Sequence, residues 1–496
     1  MTTPSPPIPD AWASAEAIRS GRVTSAELVA TALERIEAND GAVNAFTVVL
    51  RDSARSAAAA ADERCRRTLR GAGPEVRSLP PLLGVPVTVK DHIWLAGAPA
   101  TNGSRALRAF VPTRDAVPVA RLKAAGAIVI GKTNNPEFCY RGFTDNELWG
   151  LTRNPWALDR TPGGSSGGAG ASVAYGAAPI ALGTDGGGSI RIPAAFCGVV
   201  GHKPTFGLVP KLPGFRGWPT LSVDGPLTRT VRDAALALSV LAGPAAEDDL
   251  TWPVPHGDLL AAVRESPDWE QLRIAVSEDL GWAAVEPSVR QAFRRSLDRL
   301  ADDGAHLVEA APATADPTPV WNDIALPEGF ASEGPLLAEH PELVSPASRE
   351  IIEAGRSVSA AAYLDAQHQR ADFTRRWAEF FTDHDLLLAP SMPLPAFGVD
   401  VESPTMIDGT PVDPFFDDWC KLALPANLAG LPACAVPTGL DPQGLPLGMQ
   451  VIGPRCADAA VLAVAAAHER LAATNQLWLE EGRIGRESRG PRPSGR

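Results

Sequence analysis

An α/β fold on a mixed, mostly covered β-sheet is predicted by three features of the sequence. Short apolar runs of strand length alternate along the chain with amphipathic helical stretches, which packs strands under helices. Hydrophobic residues make up 45% and charged residues 21% of the 496 positions, ordinary globular proportions that exclude a mostly disordered chain. The 45 glycines and 47 prolines follow no collagen-like period and point to many tight turns. The length allows two to four domains of roughly 100–200 residues, or one large α/β domain.

Taken in order, Thr24-x-x-Glu27 predicts a capping box in front of a helix over Ser25–Ala38, whose apolar Leu28, Ala32, Leu33 and Ile36 recur at helical spacing. The alanine-rich Ser53–Arg70 predicts a second helix. Leu83–Lys90, with Val85, Val87 and Val89 alternating, predicts a strand; Ala116–Ala125 predicts a helix and Ala127–Ile130 a short buried strand. Residues 163–188 are glycine-rich and contain a predicted strand at Ala178–Gly183. Beyond about residue 240, Pro- and acid-rich pieces alternate with a strand (Leu272–Val276), a helix (Pro287–Ala301) and a strand (His306–Glu309). Residues 310–400 read as irregular up to a strand at Leu386–Ala389 that returns to the core, glycine/proline turns fill 430–455, and a last helix begins near Ala457. The tail Arg486–Arg496 has no apolar residue and reads as disordered.

The charge balance, 45 Lys+Arg against 58 Asp+Glu, gives −13 and no bulk electrostatic reason to hold nucleic acid or an anionic membrane. The six cysteines, Cys65, Cys139, Cys197, Cys420, Cys434 and Cys456, form no CxxC pair. The N-terminus lacks a basic and then apolar leader, and the apolar runs are far shorter than the ~20 residues of a membrane helix. A cytoplasmic, disulfide-free protein is the expectation.

Three motifs compete for the chemistry. Gly126-Ala-Ile-Val-Ile-Gly131-Lys132-Thr133 satisfies the Walker A pattern, but its centre is a buried-strand sequence and Asn134, Asn135 and Pro136 block an immediate helix. Gly163-x-Ser165-x-Gly167 fits the nucleophile elbow, yet Asp159–Pro162 is no strand, and the late His468 lies in an alanine-rich helical pattern that suits a packing or surface residue. The third is a constellation. The strand Ala178–Gly183 runs into Thr184-Asp-Gly-Gly-Gly-Ser189, followed by a helix start with Pro193 in its first turn. Three glycines let successive N–H groups converge beside a helix N-terminus, a ready oxyanion hole with Ser189 at its rim. A packing turn is the alternative. As base for a serine, Lys90 at the end of its apolar strand is better placed than any histidine. Neutralising a lysine of pKa ~10.4 at pH 7 costs about 4.6 kcal/mol, which burial can supply.

Together these residues resemble the amidase signature family of Ser–Ser–Lys hydrolases. The resemblance runs through Gly84-Val-Pro-Val-Thr-Val-Lys90-Asp91, Gly131-Lys-Thr-Asn134, Pro136-Glu-Phe138, Asn154-Pro-Trp156 and Pro162-Gly-Gly-Ser-Ser-Gly-Gly168. It continues through Gly183-Thr-Asp-Gly-Gly-Gly-Ser-Ile-Arg191, Ala195-Phe-Cys-Gly198, Lys203-Pro204, Gly225-Pro226, Arg229-Thr-Val-Arg-Asp233 and Asn427-Leu-Ala-Gly-Leu-Pro432. It implies one large domain over 1–485, with a central mixed, twisted sheet covered by helices on both faces, a signature core at about 75–215, a variable region at about 245–420 and the tail 486–496.

The resemblance also implies roles. Ser189 is the nucleophile, Ser165 the bridging serine after a cis peptide bond, and Lys90 the base. The N–H groups of Gly186, Gly187, Gly188 and Ser189 form the oxyanion hole, while Ser166, Asp185 and Arg191 hold the glycine loop. No metal or cofactor is needed. Amides, anilides, carbamates and activated esters are all candidate substrates, small molecules cleaved by a monomer or homodimer. The rival within the family is the glutaminase subunit of a tRNA-dependent amidotransferase. Its usual Tyr-Gly-Arg-Val-Ser-type stretch is replaced here by Phe206-Gly-Leu-Val-Pro210. Tyr140 and Arg141 either line the acyl pocket or pack under the sheet edge, and Gly164 and Trp419 are further candidate substrate contacts. Segment 310–420, with Phe330, Phe415, Phe416 and Trp419, is expected to cover the site and present an apolar leaving-group side. With Lys90, Ser165 and Ser189 all present, a catalytically dead scaffold is disfavoured.

Overall fold

The computed structural model describes residues 8–70 and 79–473, so the predicted tail at 486–496 lies outside the described residues. The strands are β1 (Phe46–Val49), β2 (Pro86–Lys90), β3 (Ile128–Thr133), β4 (Ile180–Asp185), β5 (Val200–Lys203), β6 (Val223–Thr228), β7 (Ile274–Val276), β8 (Leu307–Glu309), β9 (Leu386–Pro390), β10 (Met406–Ile407), β11 (Thr410–Pro411), β12 (Ala433–Leu440) and β13 (Pro446–Ile452). Eleven of them form one sheet in the order β1-β3-β2-β4-β6-β5-β12-β13-β9-β7-β8, and β10 and β11 pair separately. The sheet is mixed: β3, β2 and β4 run parallel, as do β9, β7 and β8, with antiparallel pairs between them.

Helices cover both faces, and the strand alternation shows it directly. In β9, Leu386 and Leu388 enter one core while Leu387 and Ala389 enter another. The first core is closed by the helices Val117–Ala124, Val231–Leu241, Pro287–Asp302 and Asp458–Ala472; the second by Thr318–Glu339, Pro346–Arg356 and Ala360–Asp383. Such doubly buried strands read as continuous apolar runs. The capping box forms as predicted: Thr24 Oγ1 accepts from Glu27 N, and the Glu27 carboxylate from Thr24 N. That helix extends past the expected end, from Ser25 to Val43.

Two readings of the sequence are corrected. Residues 310–400 are largely helical, not irregular; the helix Thr318–Glu339 carries Pro327 and Pro335 inside it, which hide a helical pattern whose Trp321, Ile324, Ala325 and Glu328 are buried on one side. Residues 430–455 are not a run of turns but the antiparallel β12–β13 pair at the centre of the sheet. Pro437 and Gly439 flank its register shift, so two residues that signal turns mark a bulge instead. Strands β1, β5 and β6 are also absent from the sequence expectation, β6 because its sequence contains Gly225-Pro226. The six cysteines are all free thiols. Among the described residues, no helix is long and apolar enough to cross a membrane.

Candidate active site

Lys90 ends β2. The alternation that sends Val87 and Val89 into the first core sends Thr88 and Lys90 to the opposite face. There the Lys90 side chain is fully buried, and Nζ lies 2.7 Å from Ser165 Oγ and 2.7 Å from Thr184 Oγ1. Both partners are neutral hydroxyls. Burial pushes the Lys90 pKa down, against the opposing pull of Cys139, Asp224 and Asp185. An amine so placed can take a proton from the hydroxyl it touches.

Ser165 sits in the turn ahead of the helix Gly167–Ala174, and the Gly164–Ser165 peptide bond is cis, as the family pattern implied. The next residue ties two loops together: Ser166 N donates to Ser189 O (3.2 Å), and Ser166 Oγ bridges the O and N of Thr184 (3.2 and 3.3 Å). Ser189 follows β4 through the glycine loop, immediately before the helix Arg191–Cys197. Gly188 has φ +114°, a backbone that a side chain would strain, and an added Cβ would lie 2.7 Å from that of Ala423.

Asp185 organises this loop. Its carboxylate accepts from Gly188 N (2.7 Å), Ile190 N (3.2 Å), Arg191 Nε (3.0 Å), Arg191 Nη2 (3.1 Å) and Asn427 Nδ2 (2.9 Å). Burial alone would raise this carboxyl, but Arg191 and its other partners outweigh it and hold it well below the usual carboxylate range. One expectation is thereby corrected. The Gly188 N–H is bound to Asp185 and is not free for an oxyanion, whereas those of Gly186, Gly187 and Ser189 have no hydrogen-bond partner among the described residues. Ser189 is 7% exposed, and among the described residues its Oγ makes no hydrogen bond to Ser165. The structure therefore forms the Lys90–Ser165 link and brings Ser189 to the same cavity without closing the second link.

The cavity is lined by Ser165, Thr184, Gly186 and Ser189 on the β4 side and by His92, Phe138, Cys139, Lys211, Phe215, Trp218, Ser222 and Asp224 around them. Its walls thus come from 92–93, 138–139 and 211–224, not from 310–420. That segment supports the lining from outside: Ser332 Oγ donates to Gly217 O (2.8 Å) and Trp321 Nε1 to Gly186 O (3.1 Å).

The four candidate substrate contacts do not line the cavity, each for a visible reason. Tyr140 lies behind Trp218, stacked at 5.6 Å, with its hydroxyl donating to Glu333 (2.7 Å). Arg141 turns outward to Glu402 (2.7 Å). The open side of Gly164 faces the backbone of 141–143, where a Cβ would lie 2.7 Å from Arg141 O. Trp419 is fully buried, stacked on Phe196 and edge-on to Phe397. Phe330 is likewise outside, under the Arg356 guanidinium.

Sequence reasoning missed His92, Lys211 and Asp224. His92 lies in the turn just past the end of β2, where strand alternation no longer says which way a side chain faces. Asp224 precedes the quoted Gly225-Pro226, but nothing in the sequence says that it pairs across from Thr184.

The two look-alike motifs resolve as packing. Lys132 is in β3, buried, with Nζ donating to the carbonyls of Asp91 (3.1 Å), Ile93 (2.7 Å) and Pro99 (3.3 Å). His468 is fully buried on the last helix, away from the cavity lining, and burial pushes its pKa down to about 3. His202 bonds Asp458 (3.0 Å) in the core. Among the described residues, no group of three His, Cys, Asp or Glu side chains is placed to hold a metal ion.

Known proteins are similar to the chain over nearly its whole length. The family model described as Amidase matches residues 27–462. The chain is 38% identical to a glutamyl-tRNA(Gln) amidotransferase subunit of Chloroflexus aurantiacus over 483 residues, covering 92% of this chain and 96% of that one. It is 36% identical to an acylamidase of Rhodococcus erythropolis over 461 residues, covering 92% and 94%. Among solved structures, a bacterial aryl acylamidase of the amidase signature family superposes with a TM-score of 0.87 at 31% identity, covering 95% of this chain and 98% of that one.

Proposed function

The chain belongs to the amidase family, and on that premise we propose that it hydrolyses the C–N bond of small amides, anilides or carbamates through an acyl-enzyme on Ser189. One observation carries the reading: a fully buried lysine, Lys90, is 2.7 Å from Ser165 in a cavity that Ser189 also lines.

The reading has these steps, of which the Lys90–Ser165 contact supports the first. Neutral Lys90 takes a proton from Ser165 as Ser165 takes one from Ser189, and the Ser189 oxygen attacks the substrate carbonyl. The developing negative charge is met by the N–H groups of Gly186, Gly187 and Ser189, which Asp185 and Arg191 hold in place from behind. The proton returns along the same path to the leaving nitrogen, and water releases the acyl group with Ser165 and Lys90 again as base. The aromatic walls at Phe138, Phe215 and Trp218 suit an apolar part of the substrate.

A second reading, the glutaminase subunit of a tRNA-dependent amidotransferase, is supported by the 38% identity to the Chloroflexus protein. Against it stands Phe206-Gly-Leu-Val-Pro210 in place of that class's usual stretch. Hydrolysis of an acyl anilide and a matched aryl carbamate, with no other protein added, separates the two. Amine release by wild type but not by Ser189→Ala is expected. Release from glutamine alone would favour the second reading. No fluorophosphonate adduct on Ser189 would overturn the acyl-enzyme itself.

A further inference from the structure

The cavity carries a carboxylate that the reaction above does not use. Asp224 lies in β6 directly opposite Thr184 of β4 in antiparallel register, so the two side chains share one face of the sheet. Thr184 is the second hydroxyl on Lys90 Nζ, which sets Asp224 beside the reacting centre. Asp224 is 4% exposed, lines the cavity, and accepts no hydrogen bond among the described residues.

The obvious internal donors are committed elsewhere. Lys211 Nζ gives its three protons to Pro219 O (2.9 Å), Ser222 O (3.1 Å) and Ser222 Oγ (3.0 Å). Ser222 Oγ donates to Trp218 O (2.9 Å), and Cys139 Sγ to Asn102 Oδ1 (3.5 Å). Asn102 Oδ1 also accepts from His92 Nδ1 (3.0 Å), which leaves His92 Nε2 as an acceptor while the ring is neutral. Burial holds that ring neutral, with a pKa pushed down to about 4. This wall therefore presents acceptors without a donor to meet them. The Lys211 ammonium eases the burial of the Asp224 charge but hands it no hydrogen bond, and a ligand's own ammonium set against Asp224 would supply one.

We propose that Asp224, with His92 beside it, anchors a protonated amino group on the acyl part of the substrate, so that aminoacyl amides are preferred over plain acyl amides. The inference rests on the reading of Ser189 as the acylated residue. Burial pushes the Asp224 carboxyl up to about 7, and an ammonium arriving next to it favours the ionised form.

The test compares glycyl and β-alanyl p-nitroanilides with their acetyl and propionyl counterparts. Wild type should show a kcat/KM at least about tenfold higher for the amino-bearing members, the discrimination that one charge-assisted hydrogen bond supplies. Asp224→Asn should bring that ratio to within about threefold of unity. A wild-type ratio at or below one, or a ratio unchanged in folded Asp224→Asn, would overturn the inference. Protection of Ser189 from a fluorophosphonate in wild type gives a second reading that needs no variant. Glycinamide should protect at concentrations about tenfold below those of acetamide, and equal protection would also overturn it. Failure of the probe to label Ser189 at all sinks the acyl-enzyme reading, whereas labelling without amino preference sinks only the anchor.

Discussion

Replacing Arg191 with methionine tests whether the glycine loop is held from behind as the structure indicates. The guanidinium is fully buried and makes four hydrogen bonds: two to Asp185 (3.0 and 3.1 Å), one to Gln450 Oε1 (3.0 Å) and one to Asn427 Oδ1 (2.7 Å). Methionine fills much of the volume but leaves the Asp185 carboxylate buried with its two backbone donors and Asn427. Breaking a buried pair by removing one partner costs about 3–5 kcal/mol. For 496 residues the unfolding entropy is on the order of 1 kcal/mol/K, so the melting temperature should fall by about 3–5 °C. Function should fall further than stability, because Asp185 also positions Gly188 N and Ile190 N. Removing one oxyanion-hole donor costs about 10²–10³ in rate, and a displaced loop should slow fluorophosphonate labelling of Ser189 to that extent.

The pH dependence has a definite sign. Asp185 is held below its unfolded value, so its contribution is full above pH ~4 and is lost as the pH falls through the folded pKa. Without Arg191 the carboxyl titrates higher, and protonation relieves the variant. The stability gap from wild type should therefore narrow as the pH drops through the carboxylate range. Urea unfolding at pH 7 and pH 4.5, with labelling followed by mass spectrometry, reads both quantities. A loss below about 1 kcal/mol at pH 7 together with labelling within about threefold of wild type would refute the reasoning.

Other outcomes follow from the same geometry. Lys90→Met should lower kcat/KM by about 10²–10⁴, and the wild-type profile should rise with pH through a midpoint below the ordinary lysine value of 10.5; a profile flat from about pH 5 to 10 under chemistry-limited conditions would exclude the lysine base. His468→Leu should leave activity within about threefold of wild type, since the residue is packed and not reacting. The buried ring stays neutral down to about pH 3 while the unfolded chain protonates near 6.5, so wild type loses about 1.4 kcal/mol per pH unit below 6.5 that the leucine variant keeps; parallel urea midpoints at pH 7 and 5.5 would disprove it. Lys132→Met removes the donor from three carbonyls and should cost about 2–4 kcal/mol in urea unfolding, while Mg–ATP should leave the wild-type melting temperature unmoved; an upward shift with Mg–ATP would revive the phosphate-loop reading.

Much of the first half of the molecule was legible because its signals are local. A capping box, an alternating strand ending in lysine and a glycine loop ahead of a proline-started helix each depend on a few consecutive residues. The second half was misread where local signals mislead. Pro327 and Pro335 argue against a helix that the second core holds together, and Pro437 and Gly439 argue against a strand that pairs on both sides. The candidate substrate contacts lie outside the cavity lining for a related reason. Aromatic and arginine side chains at 140, 141 and 419 suit a pocket or a core equally well, and only packing assigns them to stacking on Trp218, pairing with Glu402 and stacking on Phe196.

By itself the sequence determined the residue types on offer: a lysine, two serines and a glycine-rich loop with backbone N–H groups. Their type and order along the chain carry that information, because reactive groups and backbone freedom are properties of residues. Tertiary structure alone decided which groups meet. Lys90 and Ser165 are 75 residues apart and 2.7 Å apart in space, and the Gly188 N–H turns to Asp185 and away from the cavity. The register that sets Asp224 opposite Thr184 belongs to a strand pair whose members are about 40 residues apart. Such contacts are fixed by packing summed over the whole sheet, a quantity that no short stretch of residues contains.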